Sequence, residues 1–245
     1  MCEAVSVHEI HRPFTVQTAR LIDACAAVGT SATCPRRRIS RTNPDGRELR
    51  QCPIATWIDG LNETGMSDDH RDLIVADRLG QRPLKPCAPL AVVTALVLGE
   101  ATRVQAGPEK NPQEVALTGH ETLVALMGAR GIGKTLAASY LLSRLGGQLL
   151  LAYRFGRPGL EIDALGALQR PLVIDSLGRE YQNGNYALSQ LEEVIELRRA
   201  RRRLTLLTAN MTRAQFAKTY DGILDDRLNE NAAFVCCYGP SRRGM

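Results

Sequence analysis

An α/β architecture is what this 245-residue sequence predicts: a parallel sheet flanked by helices, preceded by a smaller and mostly helical region. Three observations carry that expectation. From residue 122 onward, short apolar runs alternate with segments of helical periodicity, the pattern of parallel α/β units. The first of those runs leads into "GARGIGKT" (128–135), which fills every fixed place of the phosphate-loop pattern G-x-x-x-x-G-K-[ST]. A later run, "PLVIDSLG" (171–178), carries an acid at its polar end.

Composition permits such a domain and excludes other classes. Hydrophobic residues make up 44% of the chain but aromatic ones only 4%, so the core must be mostly aliphatic. The net charge of +5, from 31 basic and 26 acidic residues, permits an acidic partner such as nucleic acid without requiring one. The longest apolar run, "APLAVVTALVLG" (88–99), is about half of what a membrane-spanning helix needs. It reads as a core segment, with no membrane partner. The N-terminus has early Glu and His and no apolar signal core, which points to a cytoplasmic protein.

Seven cysteines, with no C-x-x-C among them, favour reduced and mostly buried thiols. A zinc site from Cys25, Cys34, Cys52 and Cys87, with His70 in reserve, is the alternative. Its ligands lie much farther apart than the paired spacings that zinc sites use.

Along the chain, "FTVQTARLIDACAAVG" has Val16, Leu21, Ile22, Cys25 and Val28 at helical spacing and stops at Gly29. The arginine-rich "CPRRRISRTNPDGRELRQCP" (34–53) reads as an exposed loop or hairpin. A helix with Leu73, Ile74, Ala76 and Leu79 follows, then another over 90–102. "QAGPEKNPQE" (105–114) marks a loop or a domain boundary. We therefore expect a mostly helical N-terminal region, 1–105, to which only family resemblance assigns partner binding, and a nucleotide-binding domain, 106–245.

In the second part "TLVALMG" is a strand buried on both faces. "KTLAASYLLSRLG" is a helix, with Leu136, Ala137, Tyr140, Leu141 and Leu145 on one face, ending at glycine. "QLLLAYRF" is a strand and "EIDALGAL" a short helix. "RPLVIDSLG" is a strand ending in an acid, "NYALSQLEEVIELRRARR" a long helix, and "RLTLLTAN" a further strand. "TRAQFAKTY" is a helix, "DGILDDRLNE" follows it, and "AAFVCCYG" is the last strand, with Cys236 and Cys237 on opposite faces.

The glycine-rich loop explains itself chemically. Gly128 and Gly133 let the backbone bend with its N–H groups turned inward, and the helix N-terminus adds positive potential. Lys134 is expected to reach the β- and γ-phosphates of ATP, and the Thr135 hydroxyl to hold Mg²⁺. The nucleotide-binding set is Gly128, Ala129, Arg130, Gly131, Ile132, Gly133, Lys134, Thr135 and Leu136. Asp175 is the second expected Mg²⁺ residue. The next position, where hydrolytic P-loop proteins often carry a second acid, holds Ser176, which is no base at neutral pH. Glu180 is the substitute candidate. Asn210 ends its strand either as a γ-phosphate sensor or as the cap of the helix that follows.

In this order "GARGIGKT", "LVIDSLGRE", "LTLLTANMTRAQFAKTYDGILDDRL" and "YGPSRRGM" resemble the DnaC/IstB-like branch of the AAA+ ATPases, across roughly residues 120–245. The resemblance implies a P-loop NTPase fold of the AAA+ type and a protein that loads or remodels a replicative DNA helicase. Gly128, Gly131, Gly133, Lys134 and Thr135 then match the Walker A loop, Asp175 the first Walker B acid, and Asn210 sensor 1. Arg227 matches the arginine that reaches a neighbouring subunit's nucleotide, which implies a homo-oligomer. Arg243, with Arg242 beside it, matches sensor 2.

The sequence departs from that pattern at Ser176, in the short span from Lys134 to Asp175, and in stopping soon after Arg243. A slow ATPase is therefore expected. Rivals stay open: a transposase-assisting ATPase, a non-hydrolysing nucleotide-switch adaptor, or a small-molecule kinase with Arg154 and Arg157 in a lid. The run "RRARRR" (198–203) is either a solvated helix end or a contact to single-stranded DNA through Arg198, Arg199, Arg201, Arg202 and Arg203.

Overall fold

The computed structural model describes residues 57, 60–78, 82–106, 113–180, 185–220 and 232–241. The chain divides into two compact units, Met1–Lys85 and Pro86–Met245. The division lies upstream of the 105–114 stretch.

In the first unit, helix α1 spans Asp68–Arg78, with Asp68 and Asp69 in its first turn and Arg78 in its last, as the helix dipole favours. Ile74 is its buried residue, and Trp57, Leu61 and Met66 are buried as well. The helix predicted at 16–28 and the arginine-rich stretch 34–53 lie outside the described residues, as does Leu79.

The second unit opens with α2, Ala88–Leu98, the long apolar run of the sequence. Pro89 sits in its first turn and Gly99, at φ 66°, closes it in the left-handed conformation that glycine adopts without strain. Strands β1 (Thr102–Ala106) and β2 (Gln113–Leu117) then pair antiparallel. The turn-rich stretch between them therefore joins two strands of the second unit.

The main sheet holds five parallel strands: β3 (Leu123–Met127), β4 (Gln148–Leu151), β5 (Leu172–Leu177), β6 (Thr205–Ala209) and β7 (Ala233–Cys236). Their order is β4-β5-β6-β3-β7. All five residues of β3 and of β6 are buried, as strands covered on both faces require. β6 thus separates β3, which feeds the phosphate loop, from β5, which carries Asp175. This is the expected parallel sheet flanked by helices, with the phosphate loop at the end of β3.

Four helices fill the connections: α3 (Lys134–Leu145), α4 (Ile162–Ala167), α5 (Tyr186–Ala200) and α6 (Arg213–Thr219). α2 packs on α3, and α4 on α5. One core cluster joins Leu123, Ala125 and Met127 of β3 to Leu150, Ile174 and Leu207 of the other strands, and to Leu191, Val194 and Ile195 of α5. Two strand ends differ from expectation. β4 stops at Leu151 because Ala152 and Phe155 turn inward through a 3-10 turn and become fully buried. β5 runs past Asp175 to Leu177, with its pairing to β6 irregular between Ile174 and Leu177. The "DGILDDRLNE" stretch lies outside the described residues. Among those described, no helix is long and apolar enough to cross a membrane.

Candidate functional site

The site is built where β3, β5 and β6 end. β3 is apolar throughout and stops at Gly128, whose φ of 127° no L-residue adopts comfortably. Its N–H donates to the Met211 carbonyl at 3.0 Å, and a Cβ there would collide with the Cys237 carbonyl. The loop is therefore held between the ends of β6 and β7. At Gly131 a side chain would strike Ser241, so the C-terminal stretch closes over the loop as well. Gly133, at φ 96°, sets the start of α3 without any side-chain cap, leaving the helix N-terminal amides facing the loop. Ala129 and Arg130 are exposed and Leu136 half-buried, whereas Ile132 is buried at 3% exposure as the apolar underside of the loop.

Lys134 is buried beneath this turn, and its Nζ donates to the carbonyls of Gly128 (2.8 Å) and Ala129 (2.7 Å). Burial holds its pKa below the ordinary lysine value, against the opposing pull of Cys237 and Asp175. One residue on, the Thr135 hydroxyl donates to Asp175 Oδ1 at 3.0 Å. The Thr208 hydroxyl, from β6, donates to the same oxygen.

This arrangement fits a nucleotide with Mg²⁺. The glycine turns leave room only for backbone, the amides and the lysine supply positive potential, and Thr135 and Asp175 bring hard oxygen donors together. Among the described residues no larger His, Cys, Asp or Glu cluster exists. A short donor set suits Mg²⁺, which takes one or two protein oxygens and completes its shell with phosphates and water.

Beyond Asp175, Asn210 Nδ2 donates to Ser176 Oγ at 2.8 Å. Asn210 is not the cap of α6. Thr212 is, through a reciprocal capping box with Gln215. Glu180 turns the other way: Gly178 N–H reaches both its oxygens at 3.1 Å, and the Tyr220 hydroxyl donates to Oε1 at 2.6 Å. Burial, then the Glu180 charge, push the Tyr220 pKa upward, so the phenol stays a donor. No described hydrogen bond joins Glu180 to Lys134, Thr135 or Asp175.

The arginine run requires a correction. Arg198 is completely buried and cannot touch DNA. Its guanidinium donates to Thr205 Oγ1 (2.9 Å) and to the carbonyls of Leu165 (3.0 Å), Leu168 (2.8 Å), Arg170 (2.9 Å) and Leu204 (2.7 Å). Burial, then the nearby Arg203 charge, pull its pKa down to about 10, which leaves it charged at neutral pH. The signal was in the sequence: Leu191, Val194, Ile195 and Arg198 share one face of α5, the face turned to the core. Arg199, paired with Glu196 at 2.9 Å, and Arg201 and Arg202 are exposed, and Arg203 is half-buried.

Arg154 and Arg157, the kinase-lid candidates, are exposed beyond β4, with Arg157 over the Tyr153 ring at 4.9 Å. Cys87, Cys236 and Cys237 are free thiols, and Cys237 is buried with its pKa pushed up to about 12, chiefly by burial. Arg227, Arg242 and Arg243 lie outside the described residues, as do Cys25, Cys34 and Cys52 of the zinc alternative. Sequence reasoning missed Thr208, whose neighbours in "LTLLTAN" made it look like one more strand residue.

The chain is similar in structure to DnaI, at 16% identity and a TM-score of 0.45, over 75% of this chain and 89% of that one. It is also similar to a Streptococcus pyogenes serotype M3 protein proposed as a primosome component, at 15% identity and a TM-score of 0.49, over 75% and 98%. A third likeness is to Caenorhabditis elegans PCH-2, at 15% identity and a TM-score of 0.32, over 73% and 46%. No protein-family model matches the chain, and the comparison with curated proteins gives no match.

Proposed function

We propose that this chain is a Mg²⁺- and ATP-binding AAA+ protein that loads or remodels a replicative DNA helicase, with ATP governing its assembly and with contact to single-stranded DNA. The observation that carries nucleotide binding is the 3.0 Å approach of Thr135 to Asp175 beside the buried Lys134. Sequence distance separates these groups, and only the P-loop fold unites them. The loader assignment rests on the motif series, whose Walker A, Walker B and sensor 1 candidates occupy adjacent strand ends.

In this reading the amides of 128–135 and the Lys134 ammonium bind the β- and γ-phosphates. Thr135 and Asp175 hold Mg²⁺, which when bound neutralises phosphate charge. By the family resemblance, Arg227 is assigned to a neighbouring subunit's nucleotide and Arg243 to its own. Arg199, Arg201, Arg202 and Arg203 remain for DNA.

A second reading, a switch that holds ATP and scarcely hydrolyses it, is favoured by two observations. Ser176 stands where an acid would activate water, and Glu180 is held by Gly178 and Tyr220. ATP binding and turnover, measured with and without single-stranded DNA beside Lys134→Ala, test both. Lys134-dependent turnover that responds to DNA supports the loader, and tight Lys134-dependent binding without turnover supports the switch. Failure to bind ATP at all sinks both. Pull-downs against a replicative helicase and against DNA-bound transposase then separate the two candidate partners.

A further inference from the structure

Ser176 and Asn210 stand at the carboxyl edges of two adjacent strands, the edge where open parallel sheets bind ligands. Their mutual bond has a direction. The amide nitrogen of Asn210 donates, so Ser176 Oγ accepts. A serine hydroxyl has one proton and two lone pairs. With a lone pair engaged by Asn210, the proton remains for an acceptor, and no described residue takes it. The second Asn210 amide proton has no described acceptor either.

The neighbouring polar groups are already committed. Asp175 Oδ1 accepts from both Thr135 and Thr208, and Glu180 accepts from Gly178 and Tyr220. The Ser176–Asn210 pair is neutral and keeps two protons with no described acceptor, one on each residue, next to the residue expected to hold Mg²⁺. A terminal phosphate is the complementary chemistry: all its peripheral oxygens accept, and it carries negative charge. A carboxylate at this position would repel it, whereas a hydroxyl attracts it.

We propose that Ser176 is a direct ligand of the terminal phosphate of a bound nucleoside triphosphate, with Asn210 as the positioning residue that fixes its hydroxyl. The residue that displaces the expected acid thereby becomes a triphosphate detector, making the site prefer ATP over ADP. This rests on the nucleotide-binding reading above and specifies how that site distinguishes its two ligands.

The experiment measures the affinities of ADP and of a non-hydrolysable ATP analogue, with Mg²⁺, for the full chain. Ser176→Ala is expected to weaken the analogue by at least about tenfold, the effect of losing one hydrogen bond to a charged group, with ADP unchanged. Ser176→Thr, which keeps the hydroxyl, is expected to keep the preference. Asn210→Ala should show part of the same loss, and the double variant should be no worse than Ser176→Ala alone. Equal weakening of both nucleotides by Ser176→Ala, or an unchanged preference, overturns the proposal while leaving nucleotide binding intact. A wild-type chain that binds neither nucleotide overturns the parent reading and this one together.

Discussion

Thr208 donates its hydroxyl hydrogen bond to Oδ1 of Asp175 across the β5–β6 pairing. Thr208 is 1% exposed, so its hydroxyl has no water to fall back on, and its bond fixes the same carboxylate oxygen that Thr135 reaches. A buried hydroxyl bonded to a charged acceptor holds that acceptor more firmly than a neutral pair would.

Thr208→Val keeps the shape and removes the donor. The expected cost is about 1–2 kcal/mol in urea unfolding. The Mg²⁺ concentration needed for half-maximal nucleotide affinity should rise too, because Asp175 loses one of its two described donors. An unchanged Mg²⁺ requirement would confine Thr208 to a structural part.

The arginine run should split in two when mutated. Arg198→Met removes five hydrogen bonds, to four carbonyls and the Thr205 hydroxyl, and should destabilise the fold by about 3 kcal/mol or more. Arg201→Ala and Arg202→Ala, both at exposed positions, should change stability by no more than about 0.5 kcal/mol. If the exposed arginines meet DNA phosphates, each replacement should also lower the salt slope of binding by about one. A flat slope across the exposed variants would move the DNA contact elsewhere.

Lys134 gives opposite pH dependences to two measurements. Its native pKa lies below the ordinary 10.5, chiefly through burial. Phosphate binding needs the ammonium, so ATP affinity should fall as pH rises through that lowered value. Without nucleotide, the unfolded chain holds this proton more tightly than the native one. The contribution of Lys134 to stability should therefore increase with pH across the window from its native pKa up to 10.5. Lys134→Ala should abolish both trends, in nucleotide titrations and in thermal melts against pH.

Much of the second unit was legible because it is written in long words. β3 is an unbroken apolar run and α3 a strong helical pattern, each ending at glycine, and β6 is a run of Leu and β-branched Thr; all three form at almost the predicted limits. β1 and β2 were not foreseen. "TRVQA" and "QEVAL" are short and largely polar, and Val104 and Leu117 declare a buried face only once the two strands pair. Within the site, the residues of one contiguous loop and the strand-end acid could be read directly. Thr208 and Tyr220 could not, since their importance comes from what faces them across the sheet edge, a relation no linear pattern encodes. Arg198 was misread because charge was counted before helical phase.

The order of the sheet also sets where this chain can change length. β6 alone carries or immediately precedes the contacts of Thr208 to Asp175, Asn210 to Ser176 and Met211 to Gly128. Because a strand's side chains alternate faces, inserting or deleting one residue within it would exchange Thr208 for a leucine or alanine and break all three contacts in one stroke. The exposed turn at 157–159, beyond β4, has no such ruler laid against it. Divergence by insertion should therefore gather at that outer turn, while the inner strand keeps its count.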